Sequence, residues 1–172
     1  MEGRVQPRNH RAPDWPAAAA SGFAAGAILM VLDLFWSSAI MNTSPWATSR
    51  MIAATVMGAD TIEASGFSLG VVAVALTTHY ALGILFGIVL AAVSAPLRLD
   101  ASVRIPLLTG AVFGVILYLI NFYGMAFLFP WFAQMRGWAA VVAHLIFGMS
   151  TAVLYAKLQR SGQGSRDVAA SG

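Results

Sequence analysis

Four long apolar stretches constrain this sequence more than any other feature. They cover residues 17–41, 70–95, 105–129 and 138–157, and each can cross a bilayer as a helix, which takes about 20 residues. Hydrophobic residues make up 59% of the chain and charged residues only 10%, too few for a typical soluble domain. The sequence therefore predicts an all-α integral membrane protein, a four-helix bundle of two tandem hairpins, and excludes a sizeable soluble catalytic domain.

A shorter helix is predicted between the first and second stretches. Ser44 and Pro45 have the residue types of an N-cap and a first helical position, and Gly58 is typical of a helix C-terminus. The helix between them, residues 45–57, is mostly apolar but too short to span a bilayer. It is predicted to lie in the outer interface of the membrane.

The distribution of Lys and Arg predicts the orientation of the chain, because positively charged segments stay cytoplasmic. Eight of the ten basic residues lie in the two ends of the chain and in the loop between the second and third stretches. Both termini are therefore predicted to be cytoplasmic, with Arg50 and Arg136 on the outer side. The polar ends, residues 1–16 and 159–172, are expected to be flexible tails. This placement of the charge accounts for the basic residues without nucleic-acid binding.

Two sequence patterns occur twice, which indicates a duplicated hairpin. A Gly-x3-Gly-x6 pattern ends in a polar residue in the first and third stretches, and a His-x3-Gly pattern followed by small residues occurs in the second and fourth. Convergence on a close-packing pattern is the alternative, since small residues are common where membrane helices meet. The first pattern, shifted by 88 residues, comprises Gly22, Gly26 and Asp33 with Gly110, Gly114 and Asn121. The second, shifted by 65, comprises His79, Gly83, Gly87 and Ala91 with His144, Gly148, Ala152 and Ala156.

Each spanning stretch carries one polar residue at a similar depth. Seven residues return a helix to nearly the same face, so these polar residues share the faces of the small residues and point into the bundle. Ionisable groups at membrane depth cost about 2.5–3.5 kcal/mol and persist where they pair or serve a site. We therefore expect a buried polar site. Its residues are Asp33, His79, Asn121 and His144.

Three functions are compatible with such a site, and the first is non-enzymatic. The polar residues would hydrogen-bond to one another and fix the packing of an otherwise uniform bundle. The protein would then be an accessory or scaffold subunit of a membrane complex, in contact with the lipid bilayer and with other membrane subunits or further copies of itself. The sequence contains no Gly-rich phosphate loop after a strand, no His-Glu-x-x-His and no G-x-S-x-G, and it predicts no catalytic residue.

The second function is electron transfer by a haem b group with His79 and His144 as axial ligands. Both histidines are predicted at the same depth on helices that run in the same direction, and a glycine four residues after each leaves room for a flat macrocycle. Arg50 and Arg136 are expected on the outer side, where they could pair with the haem propionates.

The third function is the binding or conduction of protons or metal ions. An Asp and two His at one level are the residue types of proton relays and of metal sites with two His and one carboxylate. Transporter sites are built from broken helices, which this sequence does not predict. No ionisable residue of this chain continues a path through the inner half of the membrane. Conduction would therefore need an oligomer.

Three short motifs resemble those of small four-span bacterial inner-membrane proteins of no assigned activity. They are the run from Pro45 through Arg50 to Gly58, the run Pro130-Trp131-Phe132, and the run from His144 to Gly148. The likeness covers most of residues 17–157. It implies residence in a bacterial inner membrane and no particular chemistry.

Overall fold

The computed structural model describes residues 12–39, 44–96 and 102–170, and this part of the chain contains helices and no strand. Between its last two long helices the chain forms a π-helical turn, Ile120–Gly124, and two 3-10 turns, Met125–Phe127 and Pro130–Met135. The prediction of an all-α bundle is confirmed. The helices are α1 (Trp15–Ala39), α2 (Pro45–Met57), α3 (Asp60–Glu63), α4 (Leu69–Ser94), α5 (Arg104–Leu119) and α6 (Trp138–Ala170).

Four helical segments are long and apolar enough to cross a membrane, and they match the four predicted stretches closely. α6 extends past the predicted end of its stretch, through residues predicted to be a tail. No proline interrupts the helix there, and the Arg160 side chain donates from Nε to the Ala156 carbonyl at 3.1 Å. Residues 1–11 of the other predicted tail lie outside the described part. The spans are Trp15–Ala39, Leu69–Ser94, Arg104–Phe127 and Trp138–Gly162.

The helix starts follow from side chains that cap free backbone N–H groups. Asp14 Oδ1 accepts from the Ala17 N–H at 3.1 Å at the start of α1, and Ser68 Oγ accepts from the Val71 N–H at 3.4 Å at the start of α4. α2 has the predicted bounds, with Ser44 as its N-cap. It ends at Gly58, whose φ of +99° is a conformation that residues with a side chain rarely adopt.

In the first hairpin, α1 and α4 pack at glycine faces. A Cβ added at Gly87 would lie 2.8 Å from the Gly22 Cα, and one added at Gly83 would lie 3.0 Å from the Gly22 carbonyl oxygen. The two backbones therefore touch with no side chain between them. Such close approach is the usual source of helix association in membranes, where lipid removes most of the hydrophobic drive.

The second hairpin packs in the same way at the corresponding residues. A Cβ added at Gly110 would lie 2.6 Å from the Met149 Cα, and one at Gly148 would lie 3.0 Å from the Gly114 Cα. Gly22 faces Gly83 in the first hairpin as Gly110 faces Gly148 in the second, and the shifts of 88 and 65 residues relate these pairs.

The two hairpins join mainly where α1 lies along α6, while α4 and α5 scarcely touch. A buried apolar cluster combines residues from all four spanning helices, among them Ala25, Leu90, Phe113 and Phe147. At one end of the α1–α6 contact, the Tyr155 hydroxyl accepts from the Asp14 backbone N–H at 3.2 Å. The cluster shared by the four spanning helices is therefore apolar, and the buried hydroxyls of Ser21, Ser94 and Thr151 bond to the backbone of their own helices.

Candidate functional site

In the second hairpin, the predicted polar residues of α5 and α6 meet. The Asn121 side-chain amide donates from Nδ2 to His144 Nε2 at 3.2 Å. His144 Nδ1 lies 2.9 Å from the Ala140 carbonyl, which can only accept, so the ring proton is on Nδ1 and Nε2 is the acceptor. Both ring nitrogens of His144 therefore have a hydrogen-bond partner.

Asn121 belongs to the π-helical turn Ile120–Gly124 that follows α5. In a π-helical turn each backbone hydrogen bond joins residues five apart instead of four, and such turns often occur at functional sites. Arg136 stabilises this one, because its Nε donates to the Phe122 carbonyl at 2.8 Å and its guanidinium lies 4.3 Å from the centre of the Tyr123 ring. The sequence contained no signal for the π turn, since the apolar pattern runs through it unbroken.

Aromatic rings surround the Asn121–His144 contact. The Phe122 and Tyr118 rings lie 5.2 and 6.0 Å from the His144 ring, both at steep interplanar angles. Phe122 and Tyr118 are themselves buried. The imidazole is thus fixed by packing as well as by its two hydrogen bonds.

In the first hairpin, the corresponding residues are arranged differently. His79 Nε2 donates to the Gly26 carbonyl of α1 at 2.9 Å. The ring packs directly against Gly26, because a Cβ there would lie 3.6 Å from Nε2, an ordinary van der Waals distance. The Asp33 side chain lies near Thr48 of α2 and near His79 of α4.

The four predicted site residues therefore form two separate pairs, one in each hairpin, and the described contacts include none that joins the pairs. Within residues 12–39, 44–96 and 102–170, no group of three His, Asp or Glu side chains is placed to hold a metal ion. Sequence reasoning missed Thr48, which lies near Asp33, because the two residues belong to different helices.

The residues expected to hold haem b have other partners in this structure. Nε2 of His79 and Nε2 of His144 both bond to protein atoms. The space expected for a macrocycle beside Gly83 and Gly148 is filled by the backbones of the facing helices. Arg50 and Arg136, expected to pair with propionates, are also engaged. Arg50 Nη1 donates to the Gly66 carbonyl at 3.5 Å, and Arg136 donates to Phe122.

Tryptophan residues make further contacts near α2. Trp131 Nε1 donates to the Met51 carbonyl of α2 at 3.0 Å, which ties the second 3-10 turn to the first hairpin. The Trp36 and Trp138 rings meet edge to face at 4.9 Å. The Trp36 indole N–H is the one buried side-chain polar atom without a hydrogen-bond partner in the described residues.

The molecular surface has a groove between α2 and α4. Its volume is about 570 Å³, and Val56, Ala73, Thr77 and Ala81 are among the residues that line it. The lining is apolar apart from the side chains of Thr77 and Thr78, and the Thr77 hydroxyl donates to the Ala73 carbonyl. None of the four predicted polar residues lines it.

These helices, with their apolar faces exposed around a bundle of glycine contacts, define a multi-pass α-helical membrane protein. The chain matches no protein-family model, no curated protein and no solved structure, so comparison with known proteins does not narrow this class.

Proposed function

We propose that this chain is a non-enzymatic accessory or scaffold subunit of a membrane complex. One observation carries the proposal: the polar groups at membrane depth bind neighbouring helices. His79 bonds to Gly26, and His144 bonds to Asn121. An active site or a conduction path would need such groups gathered around a common cavity. Here they stabilise helix contacts, which is the use expected of a protein whose role is to present a fixed surface.

The proposal includes a duplicated hairpin and residence in a bacterial inner membrane. The glycine contacts support the duplication, since the Gly22–Gly83 and Gly110–Gly148 contacts correspond under the sequence shifts. The resemblance of the Pro45 and Pro130 motifs supports the location. The excess of Lys and Arg at both ends supports cytoplasmic termini.

The test is purification of the tagged, full-length protein from its native membranes in a mild detergent. We expect a membrane protein to accompany it in stoichiometric amount. Recovery of the chain alone, even after chemical cross-linking in the intact membrane, would contradict an accessory role.

Two matched variants map the contact with such a partner. Ala81→Trp fills the groove beside α2, whereas Val112→Trp enlarges a residue on α5 that is 61% exposed. Loss of the partner from Ala81→Trp alone would locate the contact at the groove. Loss from Val112→Trp alone would locate it on α5.

A further inference from the structure

One end of the bundle brings together the starts of α1 and α5 and the last part of α4 with α6. We call it the terminal end, because α1 begins and α6 leaves the bundle there. The Tyr155 hydroxyl of α6 accepts from the Asp14 backbone N–H at 3.2 Å at this level. A buried cluster joins the helices, and Ile105 of α5 packs against it. Its members are Ala17, Ala18, Ala91, Tyr155 and Ala156.

The net positive charge of the chain is concentrated at the terminal end. The segments that adjoin it, residues 1–16, 96–104 and 157–172, hold eight basic and four acidic residues. The segments at the opposite end, residues 42–68 and 130–137, hold two of each and are balanced. The terminal end therefore has a positive potential that attracts anions.

Three of these cations, Arg104, Lys157 and Arg160, lie on helices and are exposed. Lys157 and Arg160 are three residues apart on α6, so they share one face of that helix. Arg160 Nε donates to the Ala156 carbonyl at 3.1 Å, which leaves four N–H groups of the guanidinium for other partners. Asp14, the acid at this end whose side chain the structure describes, caps α1 through Oδ1.

The length of α6 places Lys157 at the edge of the hydrocarbon layer. The 33 residues of α6 extend about 50 Å, whereas the hydrocarbon layer is about 30 Å thick. Trp138 begins α6 at the opposite end and is 63% exposed, as is typical of tryptophan at a membrane interface. About 20 residues counted from Trp138 cross the hydrocarbon and reach Lys157.

The start of α1 marks the same boundary independently. Trp15, the first residue of α1, is 48% exposed and follows the residue that bonds to Tyr155. Lys157 and Arg160 come two and five residues after Tyr155, about 3 and 8 Å further along α6. The head groups occupy roughly 5–8 Å on each side of the hydrocarbon layer. Both cations therefore lie at the depth of the lipid phosphates.

We propose that the terminal end of the bundle binds anionic phospholipids, and that Arg104, Lys157 and Arg160 contact their head groups. Charge complementarity carries this assignment, since the exposed cations lie at the depth where such lipids present phosphate oxygens. A guanidinium can bind two of these oxygens at once, and the Lys157 ammonium acts as a point charge. The acyl chains of the same lipids lie against the spans, which holds the head groups beside the cations.

The test measures lipid binding to the purified full-length protein by native mass spectrometry from a non-ionic detergent. Phosphatidylglycerol and phosphatidylcholine with identical acyl chains serve as the anionic and the zwitterionic probe. We expect phosphatidylglycerol to bind at least about tenfold more tightly, with an advantage that shrinks as the salt concentration rises. Equal affinities would overturn the proposal. Inorganic phosphate at the same concentration should not displace phosphatidylglycerol, and complete displacement would indicate a site for a free anion instead.

Variants assign the preference to residues. Lys157→Gln combined with Arg160→Gln should weaken phosphatidylglycerol binding about 25-fold, or about fivefold for each cation removed, and leave phosphatidylcholine binding unchanged. Arg104→Gln alone should weaken it about fivefold. Arg50→Gln is the matched control, because it removes a cation from the balanced end and should change neither affinity. An unchanged preference in the double variant, or an equal loss in Arg50→Gln, would contradict the proposal.

A charge-conserving variant separates lipid binding from a structural effect. Lys157→Arg combined with Arg160→Lys should keep the preference for phosphatidylglycerol, and a loss as large as that of the glutamine variant would count against a charge contact. If the glutamine variant lost an acidic partner protein and kept its lipid affinities, the surface would be a protein contact and the proposal would be wrong. The lipid measurements themselves do not depend on whether the chain has a partner subunit.

Discussion

Gly87 and Ala18 lie in backbone contact, and a Cβ added at Gly87 would stand 2.5 Å from the Ala18 carbonyl oxygen. This contact, with that of Gly87 on Gly22, sets how closely α1 and α4 approach. No flexible side chain lies between the two helices to absorb added volume. The glycine faces should therefore tolerate substitution poorly.

We predict that Gly87→Ala destabilises the protein by about 1–3 kcal/mol, the usual cost of adding volume to a tightly packed contact. Reversible unfolding in detergent micelles measures the change. Gly124→Ala is the matched control, because a Cβ at Gly124 would meet nothing within 4 Å. Equal stability of the two variants would contradict the backbone contact of α1 with α4.

The Asn121–His144 hydrogen bond should appear as a coupling energy between the two residues. In a double-mutant cycle with Asn121→Ala and His144→Ala, we expect about 0.6 kcal/mol and at most about 1.7 kcal/mol, the average and the maximum for such bonds between membrane helices. The control cycle pairs Asn121→Ala with His79→Ala, whose effects should add because the residues belong to different hairpins. Coupling of similar size in both cycles would mean that the four polar residues form one network.

The purified protein should show no Soret band, and added haemin should not produce one that depends on both histidines. The reason is that both Nε2 atoms are bonded and both glycine faces are packed. An absorption spectrum of the protein in detergent makes the measurement. A Soret band that is lost in His79→Ala and in His144→Ala would restore the bis-histidine interpretation.

The orientation can be tested by labelling single cysteines, since the chain has none of its own. We expect a cysteine at position 50 to react with an impermeant reagent added outside intact cells. A cysteine at position 98, which lies outside the described residues, should react only after the membrane is opened. Reaction of position 98 from outside would reverse the proposed topology.

Much of the architecture could be predicted because the lengths of apolar stretches are local properties of the sequence. A stretch of about 20 apolar residues must form its hydrogen bonds internally in lipid, so it forms a helix whatever its neighbours are. The bounds of α2 were equally local, since Ser44, Pro45 and Gly58 act on the backbone beside them. The spacing of the glycines likewise indicated which helix faces pack.

The partners of the polar residues were decided by the tertiary structure. The sequence predicted a similar depth in the membrane for Asp33, His79, Asn121 and His144. Depth in the membrane does not determine which of these residues lie within hydrogen-bond distance of one another. The π turn at Ile120–Gly124 presents Asn121 to His144, while in the first hairpin His79 bonds to the Gly26 carbonyl of α1. These contacts depend on differences of a few ångströms in helix position. Such differences arise from the packing of whole helices, and residue types at a given spacing do not encode them.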